Sequence, residues 1–208
     1  VITADLDPRL GVVQDDRYMK VARSIFELPR IEPASHTTYH PLSWSKNPQP
    51  WERESYLGKK TESKGAILAY KIPNPELNYE RETVTSLEWI NKSFFAGEKK
   101  AKLLLWSGNC RPPKEALAPL EKENFINMNG GDSRMDSLYN SVGHLSPLYR
   151  TTGGMTQVYS GNANENIYTD LWSPPFAGFK EVIQTFEKTE LPARLKPVNV
   201  YYHFYSGE

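Results

Sequence analysis

Apolar residues recur along this chain with two different periods, and the switches between them mark out its expected elements. Over residues 15–28, Tyr18, Val21, Ala22, Ile25 and Phe26 follow the spacing of one helix face, with Asp15 or Asp16 able to cap its start. Pro29 stops that helix, and Ile31-Glu32-Pro33-Ala34 supplies a short strand. Val84, Leu87, Ile90 and Phe94 predict a helix over residues 79–95, with Trp89 flanking the stripe and Gly97 available as its C-cap. Lys102-Leu103-Leu104-Leu105-Trp106 reads as a buried strand, and Pro112 and Pro113 open a helix that runs through Leu120. Residues 125–129 form the next strand, with Gly130-Gly131-Asp132 as the loop after it.

Further on, Met155-Thr156-Gln157-Val158-Tyr159 is strand-like after Gly153-Gly154, and residues 176–186 carry Phe179, Val182, Ile183 and Phe186 on one helix side. Residues 197–202 form a last strand that runs into His203, and residues 1–4 a first one that ends in Asp5-Leu6-Asp7-Pro8. About six strands therefore alternate with helices, and the main polar motifs fall just after strands. That order predicts an α/β fold of the parallel barrel kind, in a single domain spanning residues 1–208. The polar connection over residues 43–64 exceeds the usual loop length and is either a functional lid or a short irregular helix. Its Trp44 and Trp51 either cover core edges or stack on sugar faces.

Composition narrows the partners. Lys plus Arg equals Asp plus Glu at 25 each, so no net field attracts nucleic acid or an anionic membrane, whereas a neutral sugar polymer fits. Apolar residues at 38% fall below the usual ~45–50%, but 12% aromatics argue for a folded domain. No apolar run approaches the ~18 residues of a membrane helix, and no signal peptide opens the chain. Because Val1-Ile2-Thr3 reads as a strand already under way, the chain is expected to be a piece of something longer. Cys110 is the one cysteine, so no internal disulfide forms, and it is expected as a buried or half-buried thiol in a loop.

Half of the four histidines stand together in Ser35-His36-Thr37-Thr38-Tyr39-His40-Pro41. Four residues apart, His36 and His40 share a face of a helical turn, so both imidazoles can address one divalent ion, zinc first among them. That spacing alone also arises by chance. His-Thr-x-x-His-Pro, however, resembles the metal-binding motif of the NodB-type polysaccharide deacetylases (carbohydrate esterase family 4), and all four specified positions match. Three longer segments narrow the resemblance: Ile126 through Arg134, Asn164 through Trp172, and Arg194 through Gly207. Together with Glu32-Pro33-Ala34-Ser35-His36-Thr37 they are similar to the C-terminal deacetylase-like domain of PelA-type exopolysaccharide proteins.

The resemblance implies a metal-dependent deacetylase of N-acetylhexosamine units in an exopolysaccharide, working in the periplasm or cell envelope during biofilm matrix export, with other export proteins as possible partners. It implies that His36 and His40 bind the metal. In Val200-Tyr201-Tyr202-His203, similar to the family's Leu-x-x-His, it makes His203 the general acid; the other reading is a core histidine bonded to a neighbour. Arg111-Pro112-Pro113 fits Arg-x-Pro, but Lys114 stands where the family has Tyr, and Arg111 is equally a solvated loop arginine. Asp132 or Arg134 either orients the site or forms a surface ion pair. His144 has no ligand-like spacing to the others and is read as structural.

One departure matters for activity. Asp5 and Asp7 lie about thirty residues ahead of the histidines, one strand-helix-strand step away, and do not reproduce the family's Asp motif. The strand carrying the family's base and third ligand is therefore expected ahead of Val1, which makes the barrel incomplete or distorted and these 208 residues alone nearly inactive. Two other readings stay open: a non-catalytic carbohydrate-binding domain that keeps the fold, and a zinc hydrolase with an unrelated substrate.

Overall fold

The computed structural model describes residues 16–57, 66–68, 76–168 and 179–203. The expected strand at residues 1–4, Asp5, Asp7, Asp15, residues 58–64 of the long connection, residues 169–172, Phe176 and residues 204–207 lie outside them. The chain divides into two compact units, one of residues 1–128 with 151–155 and the other of residues 129–150 with 156–208.

Among the described residues of the first unit, α1 (Asp16–Glu27) comes first. Its buried face is one position round from the predicted stripe: Phe26 is sealed, Met19 and Ala22 pack beside it, and Val21 and Ile25 are exposed. β1 (Ala34–Ser35) follows, then α2 (Pro50–Leu57) inside the long connection. The Glu52 carboxylate caps α2 by accepting from the Gln49 amide (2.8 Å) and the Ser43 hydroxyl (3.0 Å). A π-turn (Arg81–Thr85) leads into α3 (Ser86–Phe94). Val84, Leu87, Ile90 and Phe94 are all buried, as their spacing requires. The helix ends at an extended Phe95 and not at a glycine cap, and nothing lies against Gly97.

β2 (Leu103–Leu105) pairs in parallel with β1, Ala34 opposite Leu103, and with β3 (Ile126–Met128), Leu103 opposite Ile126. Between them α4 (Lys114–Lys122) starts behind an extended Pro113 and buries Ala116, Leu117 and Leu120. The core joins these side chains to the α3 stripe and to Trp44 and Trp106, whose rings meet edge to face at 4.7 Å. β4 (Tyr149–Thr152) and β5 (Met155–Val158) form a hairpin across Gly153 and Gly154, both at positive φ as a two-residue turn demands. The sheet thus runs β1-β2-β3-β5-β4 and is mixed.

The second unit holds β6 (Ala163–Asn164) parallel to β7 (Val200–Tyr201), with α5 (Glu165–Tyr168) directly after β6 and α6 (Val182–Lys188). A parallel bridge joins Asp132 to Asn162. Ala163, Tyr168 and Val182 make its small core, with Ile167, Phe179 and Phe186 against them, while Ile183 of the predicted stripe is exposed. Among the described residues the strands form these two sheets, and no helix is long and apolar enough to cross a membrane.

Candidate functional site

His36 leaves β1 at its C-terminal end, and the segment from His36 to Leu42 is a loop, not the helical turn expected from the four-residue spacing. The rings still meet, edge to face, with centroids 4.8 Å apart. Backbone conformation achieves this: Thr37 (φ 74°) and His40 (φ 52°) both take the left-handed region that β-branched and bulky residues avoid. The Thr37 hydroxyl accepts from the His40 amide (3.0 Å), closing a tight local turn. The buried Ser35 hydroxyl accepts from the Thr37 amide (3.1 Å) and meets the Ser86 hydroxyl at 2.7 Å.

The π-turn is the loop's second support. Consecutive amides of Thr38 and Tyr39 donate to one oxygen of Glu82 at 3.1 and 2.8 Å, and the Thr38 hydroxyl donates to the Arg81 carbonyl at 2.7 Å. Glu82 is fully buried; burial raises its carboxyl above the ordinary range, and hydrogen bonds from Tyr39, Arg81 and Thr38 pull against that rise. Arg81 pairs with Glu82 at 2.8 Å and lies over the Tyr39 ring, 4.6 Å from its centroid. From β2's side the Ser107 hydroxyl donates to the Pro41 carbonyl (2.8 Å) and the Asn109 amide to the Leu42 carbonyl (3.0 Å). Gly108 makes this approach feasible, because a Cβ there would stand 2.4 Å from Leu42 Cα.

The chemistry of the pair follows from one bond. His36 Nδ1 lies 2.8 Å from the Leu105 carbonyl oxygen, which can only accept, so Nδ1 carries the proton and the neutral ring's lone pair is on Nε2. His36 Nε2 and His40 Nδ1 are both buried nitrogens. A ring whose other nitrogen is fixed on a backbone carbonyl is the usual form of a metal-ligating histidine. His36 Nε2 could thus offer a lone pair to a divalent ion such as zinc, with His40 as the second candidate nitrogen donor. No set of three or more His, Cys, Asp or Glu side chains converges among the described residues.

Within the second unit, register brings together residues far apart in sequence. The pairings Asp132 with Asn162 and Asn164 with Tyr201 put Asp132, Asn162, Asn164, Tyr201 and His203 on one side of the extended segments. His203 stacks edge-on against Tyr201 at 5.4 Å. Glu165, buried at the start of α5, accepts from the His203 amide (2.8 Å) through one oxygen and bonds His203 Nδ1 in a very short contact through the other. A carboxylate holding Nδ1–H fixes the tautomer and orientation of this part-exposed ring. Burial raises the Asp132 carboxyl, and a hydrogen bond from the Asn164 side chain opposes the shift.

An asparagine ladder keeps these segments in register. Asn162 donates to the Asn129 side chain in a short contact and accepts from Ser160 Oγ (2.7 Å) and Asn199 Nδ2 (2.6 Å). Lys196 anchors the approach to β7 by donating to the Pro197 and Asn199 carbonyls at 3.0 and 3.3 Å; burial, with help from Arg194, brings its pKa down to about 8.

The other candidates separate clearly. Arg111 is exposed in the loop after β2, with its own amide on Asn109 Oδ1 (3.1 Å). Arg134 is a clamp: it pairs with buried Asp136, donates to the Ile167 carbonyl of α5 and lies over the rings of Tyr139 and Tyr168. Trp44 is core, its Nε1 donating to the Ser107 carbonyl at 3.0 Å, while Trp51 is 67% exposed on α2. His144 is exposed and packs on Tyr139. Cys110 is buried in a loop.

Sequence reasoning missed Glu82 and Glu165. Glu82 shows one signal, an acidic residue one turn ahead of Ser86, just before the apolar stripe that Val84 opens. Glu165 lies inside a segment singled out by resemblance but shows nothing in its spacing that marks its partner. No family model, curated protein or solved structure matches this chain.

Proposed function

We propose that the chain is a metal-dependent polysaccharide deacetylase domain that removes acetyl groups from N-acetylhexosamine units of an exopolysaccharide. The observation that carries this reading is the pairing of His36 and His40 beyond β1, with the His36 tautomer set by Leu105. In this reading His36 and His40 hold the ion through Nε2 and Nδ1. A bound divalent ion supplies a Lewis acid for the acetamide carbonyl and lowers the pKa of water. His203, its Nδ1 held by Glu165, gives a proton from Nε2 to the leaving amine. Asp132 serves beside Asn164 as a polar group on the same strand face as His203. The fold this reading carries is a barrel of the polysaccharide deacetylase type, and its setting is the cell envelope, alongside other export proteins.

Acetate release from an N-acetylhexosamine oligomer tests it. Zinc is expected to be required, His36→Ala and His40→Ala to abolish zinc binding, and His203→Ala to lower kcat about 10²–10⁴-fold, the usual worth of a general acid. A zinc-loaded protein that releases no acetate would sink the proposal. The exposed Trp51 ring favours a second reading, a carbohydrate-binding domain without catalysis. Glycan affinity lost in Trp51→Ala, with no acetate released by the parent, would select it.

A further inference from the structure

We propose that Glu82 is a positioning residue for the two histidines, and that the π-turn exists to place its carboxylate beneath their loop. This rests on the metal-binding reading of His36 and His40.

The loop cannot hold its shape through local bonds alone. Thr37 and His40 both sit in the left-handed region, which costs each of them free energy that the surroundings must offset. Local side-chain bonds run from the His40 amide to the Thr37 hydroxyl and from the Thr37 amide to the Ser35 hydroxyl. Longer ties from Ser35, Thr38 and Tyr39 run to the π-turn and the first residue of α3: two amides to Glu82, a hydroxyl to the Arg81 carbonyl, the Ser35 and Ser86 hydroxyls together, and Arg81 over Tyr39. Thr38 and Tyr39 lie between the two histidines in sequence, so one carboxylate oxygen fixes the arc joining the two rings. A fully buried carboxylate is expensive in this position. It is matched by two amides and a guanidinium, which makes Glu82 a built receptor for the loop and not a leftover charge. A π-turn adds one residue to a helix and re-aims the side chains around it, and such turns recur at functional sites. Here the turn keeps Val84 and Leu87 facing the core while Glu82 faces the loop.

The test uses Glu82→Asp, which keeps the charge and draws the oxygens back by one methylene, and Glu82→Gln, which keeps length and an acceptor. Two readouts are needed: imidazole ¹⁵N spectra of the metal-free protein, and zinc affinity by calorimetric titration. Glu82→Asp is expected to shift the His36 and His40 ring signals and to weaken zinc binding about tenfold or more, as loss of outer-shell support does. Glu82→Gln is expected to recover most of both. Should Glu82→Asp fail to fold, Thr38→Val removes only the hydroxyl bond to Arg81, and the same ring shifts with severalfold weaker zinc binding are expected from it. Wild-type ring spectra and zinc affinity in Glu82→Asp, whatever its melting temperature, would overturn the proposal. A wild-type protein that binds no zinc overturns the deacetylase reading instead; the metal-free spectra then still decide whether Glu82 positions the rings.

Discussion

Asp132 and Asp136 stand four residues apart on one segment, and their surroundings drive them in opposite directions. Burial raises the Asp132 carboxyl. Burial pushes Asp136 the same way, but the Arg134 guanidinium and the Tyr139 and Leu138 amides outweigh it and hold Asp136 below the ordinary range. The folded protein therefore binds the Asp132 proton more tightly than the unfolded chain does. That contribution favours folding at acid pH and is lost as pH rises through the raised value. Asp132→Asn is expected to raise the urea midpoint at about pH 7 and to lose that advantage near pH 3. Asp136→Asn should behave oppositely, destabilising at neutral pH and converging with wild type in acid. A residue that costs stability where it is ionised is a candidate for chemistry, and one that gains it is a candidate for structure. Neither fate is visible in Asp132-Ser133-Arg134-Met135-Asp136 as written, because each depends on what packs against the carboxyl.

At the scale of the element, the sequence was most informative where packing is one-sided. The α3 stripe is buried as its spacing predicts, and Ile90, sealed within it, gives the corresponding prediction. Ile90→Ala should cost about 2–5 kcal/mol in denaturant unfolding without altering zinc affinity, since Ile90 makes none of the bonds that hold the histidine loop. α1 was legible as a helix but not in its facing: two apolar positions compete for burial, and contact with Phe94 and Phe95 through Phe26 settles which turns inward. The histidine motif was legible in composition and misleading in geometry. Periodicity assumes regular backbone, whereas the rings meet through two left-handed residues, a conformation that neither threonine nor histidine announces.

Over the whole molecule, alternation of strands and helices was readable as far as β3, and the three parallel strands follow from it. Beyond that point Gly153-Gly154 supplies a reversal, and the hairpin puts β5 beside β3 with only one 3-10 turn (Val142–His144) between them in sequence. The equal count of acidic and basic residues gives a prediction that belongs to no single site. Binding of a neutral N-acetylhexosamine oligomer should be unchanged between low and high ionic strength in titration calorimetry, because no net field steers it. The bond from His36 to the Leu105 carbonyl also has a meaning in time. It closes a span of 69 residues, so the chain must complete a long-range search before β1 can dock on β2. Local helices form far sooner than such a pairing. The paired imidazoles are thus a late product of folding, brought together only once the sheet has closed.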